Sequence, residues 1–205
     1  MEGQRRRRTG MRVFVTGASG YLGKAIAARL VRTGSQVHGL ARSSERAALL
    51  RSIGVTPVLG TLEQPESFVS ELKNCDAVVH AARAASESAR IDQCALEAIR
   101  AGVTDGRVRH VVYTSGAFVH GSTGDAIQDE TAVPQPPAVV AWRPPHEDVA
   151  LDLVDHEAQV SVMRPGRIYG GVGGFFGAWF REARQKKLVE VPGNGQQRWS
   201  LVHRD

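Results

Sequence analysis

The chain has 205 residues, of which 42% are hydrophobic and 23% charged, so it is long enough to bury one substantial core and to form one domain with part of a second. Its formal net charge of +5 is misleading as a nucleic-acid signal, because residues 1–10 carry four arginines and residues 11–205 are nearly balanced. Cys75 and Cys94 have no CxxC or Cys/His spacing, and no apolar run approaches the roughly 18 to 20 residues that span a bilayer, so a disulfide framework, a metal site and a membrane span are not expected.

In chain order, residues 1–10 come first and are predicted to be a basic, disordered extension. An arginine run is able to contact nucleic acid or a membrane surface, but a solvated extension is the preferred interpretation, and neither partner is expected. Together with the cysteine content, which fits a reducing compartment, these features predict a soluble, cytoplasmic protein.

Short apolar, β-rich runs then alternate with longer helical patterns, which is typical of repeated βαβ units around a parallel sheet. Strands are predicted over residues 12–16, 36–41, 56–59, 77–81, 108–114 and 159–164. Helices are predicted over residues 21–32, 44–52, 65–72, 86–101 and 144–155. Pro65 and Pro144 suit a first helical turn, where the missing N–H has no intrahelical partner to lose. The predicted fold class is α/β, with a doubly wound parallel sheet of the Rossmann type.

Two later segments depart from this alternation. Residues 116–137 carry glycines, prolines and acids, and are predicted to form a loop at the carboxyl end of the fifth strand, where the ligand crevice of an open α/β sheet lies. Residues 165–177 are glycine-rich, and after them we predict a helix over residues 178–185, a short strand over 188–191 and a turn over 192–195.

The glycines at positions 17, 20 and 23 carry the strongest functional signal in the chain. They lie between the first strand and the first helix, in the sequence TGASGYLG. Glycine adopts positive φ freely and lets backbone approach a phosphate, while the free N–H groups at a helix N-terminus attract anions. The strand before the motif and the helix after it favour a dinucleotide site over a glycine-rich turn without a ligand.

Arg42 suggests which dinucleotide is bound. A fold of this kind that favours NAD usually offers an acid to the ribose hydroxyls at the end of the second strand. Here Ala41 cannot bind the ribose, whereas Arg42 could pair with a 2′-phosphate through charge-assisted hydrogen bonds. We therefore predict NADP as cofactor in preference to NAD, the alternative being that Arg42 is a solvated arginine at a helix start.

Five blocks, TGASGYLG, CDAVVHAAR, HVVYTSG, MRPGRIYG and SLVHRD, occur in this order between residues 11 and 205. With them the chain resembles the extended short-chain dehydrogenases, the NAD(P)-dependent epimerase/dehydratase family. The resemblance implies that the pyrophosphate is bound by Gly17, Gly20, Tyr21 and Leu22, and that the adenine is contacted by Leu62. It also implies that the middle of the cofactor is contacted by Ala81, Ala82 and Arg83, and the nicotinamide by Pro165, Gly166 and Ile168. Ser19, Gly23 and Thr114 complete the predicted cofactor set.

The catalytic part of the resemblance fails. The family uses a serine or threonine after the fifth strand, then a tyrosine and a lysine spaced as YxxxK, for proton transfer. Alignment puts Gly116, Trp142 and His146 at these three positions. A tryptophan has no usable pKa near neutrality, whereas histidine as a residue type is able to act as acid or base, so His146 is one catalytic candidate, the alternative being a surface or packing residue.

Ser115 is the second catalytic candidate. It could supply a hydroxyl one position early, as could Thr114, unless these hydroxyls only satisfy the backbone. Tyr113 and Tyr169 are the other phenols near the expected crevice. Strand alternation points Tyr113 away from Thr114, so at most one of the two faces the cofactor.

The resemblance also implies a longer C-terminal substrate lobe than this chain provides. We predict an NAD(P)-binding domain over residues 11–165 and an incomplete substrate lobe over 166–205, in a gene fragment or in a smaller domain with an open crevice. Two functions follow: an NADP-preferring oxidoreductase or epimerase/dehydratase-like enzyme for a small carbonyl or hydroxyl substrate, or a non-catalytic, redox-sensing or regulatory module. A homodimer is possible for the family.

Overall fold

A computed structural model describes residues 10–84, 86–191 and 193–205. Most of the predicted basic extension, residues 1–9, and Pro192 of the predicted turn lie outside the described residues. The described part is organised around a six-stranded sheet with the order β3-β2-β1-β4-β5-β6, in which every neighbouring pair is parallel. The predicted doubly wound, Rossmann-type fold is therefore confirmed.

The six strands form where the apolar runs predict them. Their bounds are β1 Arg12–Thr16, β2 Gln36–Ala41, β3 Thr56–Leu59, β4 Ala77–His80, β5 His110–Thr114 and β6 Gln159–Met163. Val13 and Val15 of β1 pack into one core cluster, and Phe14 packs into the other. This alternation places an apolar layer on both faces of the sheet, as a parallel sheet covered by helices requires.

The described residues form six α-helices, of which α6 packs against β7. Their bounds are α1 Tyr21–Arg32, α2 Ser44–Arg51, α3 Val69–Lys73, α4 Ser88–Thr104, α5 Arg143–Leu151 and α6 Gly174–Lys186. Two of the predicted helices are divided. A 3-10 turn over Pro65–Ser67 precedes α3 because Phe68 leaves helical geometry at φ −140°, and a 3-10 turn over Asp152–His156 follows α5.

The C-terminal part differs most from prediction. The prediction of a strand over residues 188–191 is wrong, because these residues are not in strand conformation and pair with no other strand among those described. Instead, β7 (Arg167–Tyr169) and β8 (Leu201–His203) form a separate parallel pair. Three-residue strands carry too little pattern to be recognised from sequence. They are stabilised by pairing with each other, starting with the 2.7 Å hydrogen bond that the Arg167 N–H donates to the Ser200 carbonyl.

Candidate functional site

A crevice of about 1650 Å³ lies at the carboxyl ends of the central strands, next to the segments that follow β1, β2, β4, β5 and β6. This is where open α/β sheets bind their ligands. The sequence-predicted site residues that line it are Gly17, Ser19, Gly20, Tyr21, Leu22, Arg42, Leu62, Ala81, Ala82, Arg83, Thr114, Ser115, Pro165, Gly166 and Ile168. Gly23 and His146 do not line it.

The glycine turn leaves one position open to a ligand. Gly17 has φ +67°, and a Cβ there would lie 2.7 Å from the Ala81 carbonyl oxygen; a Cβ on Gly23 would overlap the Gly17 carbonyl. Gly20 is different, because a Cβ there would meet just the Gly17 oxygen, at 3.0 Å, and otherwise open space. Helix α1 starts after Gly20 with no side-chain cap and no acid in its first turn. Its free N–H groups therefore fit a phosphate group.

The β2 end of the crevice has an apolar floor and a basic rim. Leu40 and Leu62 are buried there, with 5% and 9% exposure. Arg42 and Arg46 are exposed and also line the crevice. Neither guanidinium forms a salt bridge with a described residue, so both are available to an anionic ligand.

Ser115 places a hydroxyl group on the crevice at the end of β5. Its N–H donates to the Met163 carbonyl at 2.8 Å, which fixes the backbone. The residue is 8% exposed, and its Oγ is buried without a hydrogen-bond partner in the described structure. A buried hydroxyl without a partner carries a desolvation cost, which a bound polar ligand would relieve.

Behind the crevice, Asp92 of α4 is the centre of a buried polar network. Its carboxylate accepts hydrogen bonds from His80 Nε2 at 3.0 Å, the Tyr113 hydroxyl at 2.7 Å and His146 Nδ1 at 2.8 Å. Thr16 Oγ1 contacts His80 Nδ1 at 2.8 Å and accepts from the Ala81 N–H at 3.2 Å. The network thus joins five elements, the strands β1, β4 and β5 and the helices α4 and α5, next to Ala81.

The electrostatics of the network keep it ionised at Asp92 and protonated at Tyr113. Burial by itself raises the pKa of Asp92, but hydrogen bonds from His80, His146 and Tyr113 outweigh burial, and the pKa lies below its usual value. Burial, then the Asp92 charge, raises the pKa of the Tyr113 hydroxyl far above its usual value. Tyr113 is therefore a structural donor, and it points away from the crevice while Thr114 lines it, as strand alternation predicts.

His146 and Trp142, at the family's lysine and tyrosine positions, lie off the crevice. His146 binds Asp92, and its ring meets the Trp142 ring edge-on at 5.2 Å. The Arg143 guanidinium stacks on Trp142 at 4.6 Å and donates to the Thr114 carbonyl at 3.2 Å. Trp142 and His146 therefore pack behind the crevice and do not line it.

Sequence reasoning did not single out His120, Arg46 or Arg167 as site residues. Of the described residues that line the crevice, His120 is the one histidine, and its Nδ1 is buried without a hydrogen-bond partner. It lies in the 3-10 turn Ala117–His120. The sequence offered one signal for His120, which is its place in the loop expected beside the crevice. It offered none for Arg46 or Arg167.

Two absences concern the described residues. No group of three His, Cys, Asp or Glu side chains within residues 10–84, 86–191 and 193–205 is arranged to hold a metal ion. Over the same ranges, no helix has the length and apolar content needed to cross a membrane.

Comparison with known proteins places this geometry among cofactor-binding folds. The family described as NAD(P)H-binding matches residues 17–173. An uncharacterized protein of Schizosaccharomyces pombe is 35% identical over 95% of this chain and 67% of its own length. The 4-hydroxy-2-methyl-3-oxo-4-farnesyl-3,4-dihydroquinoline-1-oxide ketoreductase of Stigmatella aurantiaca is 34% identical over 70% of this chain and 45% of its own. The structure of MoeE5 in complex with UDP-glucose and NAD superposes with a TM-score of 0.81 at 25% identity, over 94% of this chain and 68% of that one.

Proposed function

Because the chain belongs to the NAD(P)H-binding family, within the short-chain dehydrogenase superfamily of epimerases, dehydratases and reductases, we propose that it is an NADP-preferring oxidoreductase or an epimerase/dehydratase-like enzyme for a small carbonyl or hydroxyl substrate. The chain spans about two thirds of the Schizosaccharomyces pombe relative and less than half of the ketoreductase. The proposal therefore concerns the activity that the crevice of this chain supports.

One observation carries the proposal: a single crevice runs from the open position at Gly20 to the unpartnered hydroxyl of Ser115. The first position suits a pyrophosphate, and the second suits the oxygen of a reacting substrate. A turn that existed for packing alone would leave no space at Gly20.

The preference for NADP rests on the rim at β2. Arg42 and Arg46 present two guanidinium groups without acidic partners at the end of the crevice where the adenine ribose is expected. A 2′-phosphate would form ion pairs with both guanidinium groups, whereas an uncharged ribose hydroxyl would offer them no negative charge.

The bound cofactor would supply or accept the hydride, and the protein would orient the substrate and move a proton. Ser115 would hold the substrate oxygen. His120 would exchange the proton, because an imidazole ring can both donate and accept a proton and this one lines the same crevice. The prediction that His146 is catalytic stays a prediction; its contact with Asp92 favours a positioning role, in which it fixes α5 against α4.

A second function, cofactor-dependent regulation without catalysis, is favoured by the position of Trp142 and His146 away from the crevice. The two functions are separated by calorimetric titration of NADP and NAD, followed by an NADPH-oxidation assay with aldehydes, ketones and sugar nucleotides. Tighter binding of NADP with turnover of at least one substrate class supports the enzyme. Binding without turnover, also in a chain extended to the length of its relatives, supports the regulator, and tighter binding of NAD contradicts the cofactor assignment.

A further inference from the structure

Arg167 is fixed in the crevice by two aromatic rings. It is the first residue of β7, and its guanidinium carbon lies 4.2 Å from the centre of the Phe175 ring and 4.7 Å from that of Trp199. The two rings meet at 65°, so they form a corner around the side chain. Contact with ring faces is favourable for a guanidinium and restricts its rotation.

The hydrogen-bond donors of Arg167 remain unused. Contact with an aromatic ring is not a hydrogen bond to an oxygen acceptor, and a guanidinium carries five N–H donors, so Arg167 keeps donors for an oxyanion. No oxygen of a described residue accepts a hydrogen bond from the side chain of Arg167 or of Arg83, which lines the same crevice. Gly166 keeps the segment close to β8, since a Cβ there would lie 2.5 Å from the Ser200 oxygen.

The surroundings of Arg167 are positively charged. Burial, followed by the nearby charge of Arg83, lowers the pKa of Arg167. Three other crevice arginines already have partners: Arg164 binds Glu147, Arg198 binds Asp125, and Arg143 binds the Thr114 carbonyl. Two uncompensated guanidiniums that repel each other are stabilised by a shared anion.

The position of this pair points to the substrate. Arg167 comes two residues after Pro165, beyond β6, whereas Arg42 and Arg46 lie at β2, four strands away in the sheet. The phosphate cradle at Gly20 lies between them, after β1. An anion bound to Arg167 would therefore lie at the end of the crevice that contains Ser115, and the 2′-phosphate of the cofactor would lie at the opposite end, next to Arg42 and Arg46.

We propose that Arg167, held in the corner of Phe175 and Trp199 and opposed by Arg83, binds an oxyanion of the substrate, a carboxylate or a phosphate, so that this chain acts on an acidic carbonyl or hydroxyl compound. The proposal rests on the proposed function, whose substrate it narrows. The exposed parts of both rings would contact an apolar portion of the same molecule.

Binding of simple probes tests the proposal without a known substrate. The full chain, saturated with NADP, is titrated by calorimetry with benzoate, phenyl phosphate and uncharged benzamide. The variants are Arg167→Gln, which removes the charge, Arg167→Lys, which keeps the charge and loses the planar fork, and the control Arg181→Gln on the exposed side of α6. Thermal melting of each variant establishes that it is folded.

We expect one or both anions to bind and benzamide to bind at least about tenfold more weakly. Arg167→Gln should weaken anion binding about 10- to 100-fold, the range of charge-assisted hydrogen bonds, with NADP affinity within about twofold. The anion affinity of Arg167→Lys should lie between those of the parent and Arg167→Gln, and that of Arg181→Gln should equal that of the parent. The relative affinity of benzoate and phenyl phosphate identifies which oxyanion is preferred.

Equal affinity for benzamide and benzoate, or anion binding that Arg167→Gln leaves unchanged, overturns the proposal. A loss of NADP affinity as large as the loss of anion affinity also overturns it, because Arg167 would then serve the cofactor. Failure of the parent to bind NADP or NAD contradicts the proposed function instead, and titration of the cofactor-free protein then tests the anion site separately.

Discussion

Substitution of Gly20 by alanine should weaken cofactor binding strongly while leaving the protein folded. Gly20 has φ −80°, which alanine adopts without strain. The added Cβ would meet the Gly17 oxygen at 3.0 Å, so a shift of a few tenths of an ångström accommodates it. Alanine is a poorer N-cap than glycine, and we expect a loss of stability of about 1 kcal/mol at most.

The cost to binding is larger because the methyl group occupies the open space at the start of α1. A phosphate group displaced from the helix N-terminus loses one or two charge-assisted hydrogen bonds, each worth about 1.5–3 kcal/mol. The dissociation constants of NADP and NAD should therefore both rise about 10- to 100-fold or more. Calorimetry measures both constants, and chemical unfolding measures the free energy of unfolding.

Two further variants make the result interpretable. Gly177→Ala on α6 meets just the end of Arg181 at 3.7 Å, so binding should be unchanged and helix propensity should stabilise the chain slightly. Gly17→Ala should be destabilised, because its φ of +67° is strained for alanine and its Cβ would lie 2.7 Å from the Ala81 oxygen. If Gly20→Ala binds both cofactors as the parent does, the glycine turn is a packing feature and the site has been misplaced.

The other predictions concern cofactor choice, the buried network and proton transfer. Replacement of Arg42 and Arg46 by glutamine should lower the affinity for NADP about tenfold per residue and leave the affinity for NAD unchanged, as measured by calorimetric titration. The NADP affinity of the variants should also depend less on salt concentration. Equal effects on both cofactors would contradict the 2′-phosphate assignment. Because the pKa of Asp92 is lowered in the folded state, the ionised carboxylate stabilises the fold above its unfolded-state pKa, and this contribution is lost as the pH falls through the folded-state pKa. Asp92→Asn should therefore lower the free energy of unfolding at neutral pH by about 2–4 kcal/mol and make it less dependent on pH in the acid range. A variant whose free energy of unfolding changes with pH in parallel with that of the parent would refute this. Ser115→Ala should reduce kcat about 10- to 100-fold without loss of stability, since its hydroxyl has no partner to lose. His120→Gln should remove a pH-dependent limb from the kcat profile, and an unchanged profile would exclude His120 as the proton donor.

The parts of the fold that were predictable from sequence are those with local causes. Strand β1 and helix α1 have the predicted bounds because an apolar run, a glycine turn and a helical pattern follow one another within 21 residues. Strands β7 and β8 were missed because each has three residues and depends on a partner more than 30 positions away. The corner around Arg167 depends on the same long-range pairing, which brings Trp199 next to Phe175.

The candidate site shows the same division between local and long-range causes. The position of Ser115 on the crevice follows from the end of β5, which the sequence indicates. The role of His146 does not, because it depends on Asp92, 54 positions earlier. An isolated histidine in the first turn of a helix gives no sign of whether it faces a crevice or a buried carboxylate.

Trp142 and His146, which align with the family's proton-transfer tyrosine and lysine, do not line this crevice. Their rings contact each other, the Trp142 ring also contacts the Arg143 guanidinium, and His146 is hydrogen-bonded to Asp92. Proton exchange in this crevice would have to come from the loop after β5, where Ser115 and His120 have buried polar atoms without partners. Whether the chain is an enzyme or a cofactor-dependent regulator thus turns on this loop, and the Ser115 and His120 variants test it directly.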